Sequence, residues 1–71
     1  MKNILNYKNY IGTVEFSEED KVFFGKVIGI TDLISFEGDT VDNLIEDFHD
    51  AIDDYLEFCA ENGKEPQQQY K

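Results

Sequence analysis

The sequence predicts an α+β fold in which a three-stranded antiparallel sheet carries one long helix on one face. Two observations lead to this prediction. Residues Thr40–Asn62 place their apolar side chains at helical spacing, and three shorter segments before them have the composition of strands. The connections are short and the order is β-β-β-α, which favours a two-layer sandwich with a single core. A chain of 71 residues forms one domain at most.

The helix is the element that the rest of the fold must cover. On a helical wheel, one stripe contains the apolar residues Val41, Leu44, Ile45, Phe48, Ile52, Tyr55, Leu56 and Cys59. Thr40 is the predicted N-cap, because its hydroxyl can accept a hydrogen bond from a free amide of the first turn. Asn62 and Gly63 supply a left-handed end. One apolar stripe needs one apolar surface, and we expect the sheet to provide it.

Three segments before the helix are predicted strands: Tyr10–Phe16, Val22–Ile28 and Leu33–Glu37. They are rich in β-branched and aromatic residues, which favour strands. The polar turn at residues 17–20 is short, so the first two strands form an antiparallel hairpin. Residues 1–9 give only a weak signal for a further edge element.

Both faces of the predicted sheet carry apolar residues. Successive side chains of a strand point to opposite faces, which puts Ile11, Phe24 and Ile28 on the face away from the helix. An uncovered apolar face of this kind suggests a second subunit or a further part of the chain. Since a chain of this length has a small core, we also expect a homodimer or a higher homo-oligomer.

The charge of the chain indicates which partners it can bind. Sixteen acidic residues against six basic ones give a net charge of −10, and the sequence contains no arginine. Phosphate contacts require lysine and arginine, so we expect no nucleic-acid binding through this domain alone. Two explanations of the charge stay open, namely a basic partner and solubility alone.

Composition also gives expectations about location and domain division. No apolar run is long enough to span a membrane, and no long apolar core marks a signal peptide. The single cysteine, Cys59, lies in the apolar stripe of the helix, which suits a reducing compartment, so we predict a cytoplasmic protein. We assign residues 1–63 to the domain, and residues 64–71, which are polar with one proline, to a linker.

A series of short motifs runs along nearly the whole chain: Tyr7-Lys8-Asn9-Tyr10, Val14-Glu15-Phe16, Glu19-Asp20, Phe24-Gly25-Lys26-Val27, Gly29-Ile30, Ser35-Phe36-Glu37-Gly38-Asp39-Thr40, Ala51-Ile52-Asp53-Asp54-Tyr55-Leu56, Gly63-Lys64-Glu65-Pro66 and Tyr70-Lys71. In this order and spacing, the motifs resemble the N-terminal domain of HicB-type antitoxins, which are the partners of HicA toxins. Each motif alone is common, and the resemblance depends on the whole series.

The resemblance implies a fold and a function. The fold is a partial RNase H-like domain of β-β-β-α order, and the function is that of a type II antitoxin. Its HicA partner is a small basic ribonuclease that uses a histidine to cleave mRNA, and the antitoxin blocks that site. In the family, a DNA-binding domain of the ribbon-helix-helix or helix-turn-helix type usually follows. It would begin at Tyr70 and Lys71, where this sequence ends, so we expect DNA binding only if such a domain follows.

Two clusters of carboxylates are the candidate partner-binding residues. One is the turn after the first predicted strand, with Glu18, Glu19 and Asp20. The other is the solvent-facing arc of the helix, with Glu46, Asp47, Asp50, Asp54 and Glu57. An array of carboxylates can occupy the cationic surface of a ribonuclease as a mimic of RNA, and complementary fields accelerate the association.

An enzyme is the alternative that an RNase H-like fold raises. Two-metal hydrolysis needs carboxylates that converge on one pocket, and Glu15 and Asp39 are the conceivable ligands. The helix acids are expected to point to solvent, so we predict no catalytic residues. His49 is the only histidine and has no metal-ligand spacing around it, and the glycines do not form a phosphate loop. We expect no metal and no cofactor.

A second alternative is a stand-alone acidic module for oligomerisation or interaction, with a ligand that the sequence does not identify. Phe58 and Ala51, on the flank of the helix stripe, fit this alternative as a subunit contact. They fit equally well as partly buried residues at the rim of the core. The adjacent gene distinguishes the two functions, because a toxin is encoded beside its antitoxin.

Overall fold

The computed structural model describes residues 4–67 and confirms the predicted fold class. An antiparallel sheet is packed against one long helix, α1, at Val41–Glu61. Within the described residues the sheet has five strands: β1 at Ile4–Tyr7, β2 at Tyr10–Thr13, β3 at Glu15–Ser17, β4 at Val22–Ile28 and β5 at Ser35–Gly38. The order of elements is therefore β-β-β-β-β-α.

Strand β4 is the centre of the sheet. Its first half pairs with β3, where Phe16 lies opposite Phe23, and its second half pairs with β2, where Gly12 lies opposite Val27. Strand β5 pairs with the other edge of β4, and β1 extends the sheet beyond β2. All of these pairings are antiparallel, so every connection can be short.

The structure has five strands rather than the three predicted, because one predicted strand is divided in two and one strand, β1, is added. The predicted strand Tyr10–Phe16 is interrupted at Val14, where the hydroxyl of Thr13 accepts a hydrogen bond from the amide of Lys26 at 3.1 Å. The pairing with β4 keeps the same register on both sides, so β2 and β3 together occupy the position of the predicted strand.

The additional strand, β1, lies within residues 1–9, where the sequence only weakly predicts an edge element. It joins β2 through Lys8 and Asn9, whose φ angles of 51° and 69° lie in the left-handed region. Positive φ at both central residues is the geometry of a two-residue hairpin turn. Asn tolerates this conformation better than most residues, and the hairpin forms without glycine.

The core lies between α1 and one face of the sheet. The helix contributes Leu44, Phe48 and Ile52, which are at most 1% exposed, and the sheet contributes Tyr10 and Phe36. The rings of Phe36 and Phe48 are 4.8 Å apart, centroid to centroid. Most of the predicted helix stripe is buried or partly buried. Val41 is the exception at 52% exposure; it stands at the first position of the helix.

Both predicted ends of the helix are confirmed. The hydroxyl of Thr40 accepts a hydrogen bond from the amide of Asn43 at 3.1 Å. At the other end, Asn62 is the C-cap and Gly63 has a φ of 63°. No basic residue lies in the last turn of this helix, so its negative end is not compensated locally.

The sheet face away from α1 is apolar in part, as predicted. Phe24 and Ile28 are 38% and 39% exposed, and Ile4 on β1 is 45% exposed. Ile11, opposite Ile28 in the register, is half-buried. No helix among residues 4–67 is long and apolar enough to cross a membrane.

Candidate functional site

One predicted surface, the arc of acids on α1, contains a continuous exposed row. Glu46, Asp50, Asp54 and Glu57 follow one another at spacings of four, four and three residues, so they share one side of the helix. The row is about 16 Å long at the helical rise. Within the described part of the chain, these four carboxylates have no hydrogen bond and no ion pair. Neighbouring like charges destabilise a helix, so the row opposes folding rather than supporting it.

Asp47, a fifth predicted residue of the helix, does not belong to this row. Its Oδ2 accepts a hydrogen bond from the backbone amide of Glu37 at 2.9 Å. Glu37 lies in β5, which pairs only with β4 among the described strands. The Asp47 carboxylate therefore accepts a hydrogen bond from a backbone amide of an edge strand. An edge amide without such a partner could pair with a strand of another chain.

Asp53 is a helix acid with a basic partner. Its Oδ1 lies 2.8 Å from Lys8 Nζ in the hairpin turn, and the Tyr7 hydroxyl donates to the same carboxylate at 3.2 Å. The hydrogen bond from Lys8 holds the pKa of Asp53 below its usual range and raises the pKa of Lys8. Asp53 was not among the predicted binding residues, and it links α1 to the β1–β2 hairpin.

The second predicted surface, Glu18 to Asp20, is an exposed turn with internal hydrogen bonds. The amide of Asp20 donates to Ser17 Oγ at 3.2 Å, and the amide of Lys21 donates to the Ser17 carbonyl at 2.7 Å. Lys21 adopts a φ of 56°, which closes the turn. Glu18 and Glu19 are exposed on its outer side without a hydrogen-bond partner in residues 4–67.

An open groove brings part of the two predicted surfaces together. The groove has a volume of about 640 Å³ and crosses β3, β4 and β5 at the end of the sheet where β4 begins. Asp20 from the turn and Asp47 from the helix both line it. The other predicted residues, Glu18, Glu19, Glu46, Asp50, Asp54 and Glu57, lie outside it. The two acidic clusters are thus separate on the surface except at this groove.

The groove also contains residues that sequence reasoning missed as binding residues. Phe16 and Phe24 line it and are 54% and 38% exposed, and Glu37 adds a third carboxylate. The two phenyl groups point to opposite faces of the sheet, because Phe16 pairs with Phe23 and Phe24 is the next residue of β4. The available signal at Phe16 was its position directly before an acidic turn. The strand pattern alone did not distinguish it from the buried Tyr10 of the same segment.

The opposite end of the sheet is closed by a network of polar side chains around the carboxyl-terminal residues. The side chain of Gln67 accepts from the Thr31 amide and donates to the Thr31 hydroxyl, both at 2.7 Å. Its amide donates to the Tyr55 hydroxyl at 3.0 Å, and its carbonyl accepts from the Tyr10 hydroxyl. We call these residues, together with Asp32 and Lys64, the C-terminal network.

Electrostatics tie the C-terminal network to α1. Tyr55 donates to Asp32 Oδ2 at 2.8 Å, and Lys64 Nζ lies 2.7 Å from the same oxygen. These hydrogen bonds lower the pKa of Asp32. Burial, with the hydrogen bond to Asp32 adding to it, raises the pKa of Tyr55 to about 12. Residues 64–67, assigned to the linker, are thus in contact with the domain, while Tyr70 lies outside the described residues.

The side chains that were considered as metal ligands or nucleophiles lie apart from one another in residues 4–67. No group of three or more His, Cys, Asp or Glu side chains there is placed to hold a metal ion. The ring of His49 stacks on Tyr7 at 4.0 Å, and Cys59 is fully buried. Asp39, considered above as a metal ligand, accepts a hydrogen bond from Asn43 at 2.7 Å. The absence of an enzymatic activity stays a prediction.

Comparison of the chain with protein-family models, with curated proteins and with solved structures finds no match. Any assignment of function therefore depends on the residues and their arrangement.

Proposed function

We propose that this chain is an antitoxin domain of the HicB type, a non-enzymatic acidic module that binds and neutralises a small basic ribonuclease toxin. The observation that carries the proposal is the exposed row of Glu46, Asp50, Asp54 and Glu57 on α1. The opposite face of the same helix is buried in the core, so the row is presented on a rigid support.

The physical argument concerns the missing counter-charges. The chain has a net charge of −10, and the two ion pairs within residues 4–67, Lys8–Asp53 and Lys64–Asp32, use neither the row nor the turn acids. A ribonuclease presents cations to the RNA backbone, and these cations can supply the missing partners. Opposite fields also raise the rate of encounter, with a strong dependence on ionic strength.

The sequence motifs support the same proposal. The α+β architecture is consistent with the fold that the resemblance to HicB antitoxins implies, and the strand signals match in order. A toxin that cleaves mRNA acts in the cytoplasm, which is where we place the domain. This proposal assigns no DNA binding to residues 1–63.

The test is a co-purification followed by an activity assay. The chain is produced together with the product of the gene adjacent to its own, and the complex is assayed for RNA cleavage with and without the chain. We expect a complex that dissociates with salt and an inhibited ribonuclease. An adjacent product that neither binds the chain nor cleaves RNA contradicts the antitoxin function.

A pair of variants tests the role of the row. The first neutralises three of its four acids by Glu46→Gln, Asp50→Asn and Asp54→Asn. The matched control removes the same charge from exposed acids that lie outside α1, by Glu15→Gln, Asp39→Asn and Glu65→Gln. We expect the first variant to bind the toxin at least about tenfold more weakly than the control, which corresponds to about 1.4 kcal/mol. Equal losses would assign the effect to net charge.

A second candidate function, a stand-alone homo-oligomerising module, is favoured by one observation. The sheet face away from α1 exposes Ile4, Phe24 and Ile28. Analytical ultracentrifugation of the chain alone tests it, with Ile28→Thr as the variant that reduces the apolar area. A monomer at all concentrations contradicts the homodimer, whereas a dimer that the substitution dissociates supports it.

A further inference from the structure

The junction between α1 and the C-terminal network is an asparagine followed by a glycine. Asn62 is the C-cap of the helix, and Gly63 adopts a φ of 63°. Both residues are exposed. A Cβ built at Gly63 would have no atom within 4 Å, so no neighbouring group covers that side of its backbone. Glycine also leaves its own nitrogen unhindered, because it has no side chain.

The hydrogen bonds at this junction hold the Gly63 nitrogen weakly. Its amide donates to the Ala60 carbonyl at 3.4 Å, which is longer than the usual range for such a bond. The side-chain nitrogen of Asn62 donates to the Phe58 carbonyl at 2.8 Å. Helix ends fray at a low cost in free energy, so both bonds can open while the domain stays folded.

An asparagine and a glycine in this setting can react with each other. The nitrogen of Gly63 loses its proton and attacks Cγ of Asn62, the side-chain nitrogen leaves as ammonia, and a cyclic imide remains. Water then opens the imide at one of its two carbonyl carbons. Opening at Cγ gives aspartate, whereas opening at the backbone carbonyl gives isoaspartate, in which the main chain runs through the former side chain. The net change is one water taken up and one ammonia released, without an oxidant or a reductant.

The other asparagines of the described residues lack this combination. Asn6 and Asn9 are each followed by a tyrosine, whose side chain crowds the nitrogen that would attack. Asn43 lies inside α1, where the next amide, that of Leu44, donates to the Thr40 carbonyl at 2.9 Å. Asn62 is therefore the residue of residues 4–67 that we expect to react first.

The reaction would change the end of the helix. A carboxylate at position 62 cannot donate to the Phe58 carbonyl, and it adds a charge at the negative end of α1, whose last turn contains no basic residue. Isoaspartate also lengthens the main chain by one atom before Gly63. The amide of Lys64, which donates to the Cys59 carbonyl at 2.8 Å, would then lie out of register.

We propose that Asn62–Gly63 is a site of spontaneous deamidation, and that the isoaspartate product releases residues 64–67 from the domain. These residues are held by the ion pair of Lys64 with Asp32 at 2.7 Å and by the bonds of Gln67 to Thr31. All of these contacts lie beyond the lengthened main chain. The reaction depends on the junction alone and is independent of the antitoxin function.

Incubation of the full 71-residue chain at mildly alkaline pH tests the reaction, because a higher pH favours loss of the proton from the Gly63 nitrogen. Peptide mapping by mass spectrometry measures the conversion of each asparagine, and an isoaspartyl methyltransferase labels the isoaspartate. We expect Asn62 to convert at least about tenfold faster than Asn9 or Asn43. A synthetic peptide of residues 58–67 gives the rate without the fold. Conversion of the peptide while Asn62 of the folded chain stays intact overturns the site.

Two variants separate the roles of the two residues. Gly63→Ala keeps the asparagine but hinders the attacking nitrogen, and it should slow the conversion about tenfold. Asn62→Gln keeps a side-chain amide on a longer side chain, which closes the ring less readily, and position 62 should stay unconverted over the same period. This second variant leaves the glycine at its φ of 63° unchanged. Equal rates in the unchanged chain and in both variants overturn the mechanism.

The release of residues 64–67 is measured on chain labelled with nitrogen-15. The isoaspartate form, separated by chromatography, should shift the amide signals of Thr31 and Gln67, because their mutual hydrogen bonds are lost. Asn62→Asp is the matched control, since it adds the charge without lengthening the main chain, and it should leave both signals in place. Equal shifts in the two proteins, or no shift in either, overturn the release by isoaspartate.

Discussion

The two ends of strand β4 differ in whether the side chains around them have partners within the chain. At its last residues, near Ile28, the C-terminal network pairs the polar groups of Tyr10, Tyr55 and Gln67 with one another. At its first residues, near Val22, the side chains of Phe16 and Phe24 are exposed, and no ion pair within residues 4–67 includes Asp20, Glu37 or Asp47. The polar groups near one end of β4 are therefore hydrogen-bonded within the chain, whereas the other end has exposed phenyl groups and carboxylates outside any ion pair.

This difference indicates which end contributes to stability and which is available for binding. Polar groups that are paired within the chain favour the folded state, and their contacts give no affinity for a partner. Exposed apolar surface and clustered like charges do not stabilise the monomer, but both can be covered by a partner with the complementary surface. Substitutions at the network should therefore change stability, and substitutions of the exposed residues near Val22 should change it little.

The largest expected effect is a difference in stability between a buried and an exposed phenylalanine of the sheet. Phe36→Ala should lower the free energy of unfolding by about 3–5 kcal/mol, because Phe36 is 3% exposed and packs on Phe48. Phe24→Ala, at 38% exposure, should cost less than about 1 kcal/mol. Urea unfolding followed by circular dichroism measures both. Equal losses would mean that the groove is part of the core.

A close backbone approach in β4 should give the second largest effect. A Cβ at Gly25 would lie 1.8 Å from the carbonyl oxygen of Thr13, so Gly25→Ala must displace the backbone at the β2–β3 interruption. We expect a loss of about 3 kcal/mol. The control is Gly63→Ala, where nothing lies within 4 Å and only the φ of 63° opposes alanine, at about 1 kcal/mol. Similar midpoints of thermal unfolding would contradict this assignment.

The C-terminal network should give an intermediate effect. Gln67→Ala removes two side-chain hydrogen bonds to Thr31 and should destabilise the protein by about 1–2 kcal/mol. Glu65→Ala, at an exposed position in the same segment, should change the unfolding midpoint little. Equal unfolding midpoints for the two variants would contradict a stabilising role of the Gln67 side chain.

Alkaline pH provides a smaller and more specific test of the same network. The pKa of Tyr55 rises from 10.0 to about 12 on folding, so the folded state retains the phenolic proton more strongly than the unfolded state does. Its contribution to stability is complete below pH 10 and is lost as the pH rises toward about 12. Tyr55→Phe should remove this part of the pH dependence. Parallel stability curves for the two proteins above pH 10 would be the contrary result.

The smallest expected effect has the opposite sign. Asp50 has Glu46 and Asp54 four residues away on either side, so Asp50→Asn should stabilise the helix by about 0.5 kcal/mol at low salt. Added salt should reduce the gain, because it screens the repulsion. Asp53→Asn is the matched control, since it loses the 2.8 Å contact with Lys8 and should not stabilise the protein. Differential scanning calorimetry at two salt concentrations measures the difference.

The helix and its caps could be predicted from the sequence because the signals are local. The apolar spacing of α1, the hydroxyl of Thr40 and the left-handed glycine at position 63 each act within a few residues. The predicted strands at Val22–Ile28 and Leu33–Glu37 lie at or close to β4 and β5 for the same reason. The interruption at Val14 was missed, because it depends on Thr13 meeting Lys26 in another strand.

The acidic surface was predictable in composition but not in arrangement. Sequence alone determined the fold class and the solvent-facing acids of the helix, because both follow from periodicity. Only the tertiary structure decided that Asp47 is bound to Glu37, that Asp53 pairs with Lys8, and that Asp20 and Asp47 share a groove with Phe16. These contacts join residues distant in the chain, and their formation depends on how the sheet and the helix pack, which no local pattern records.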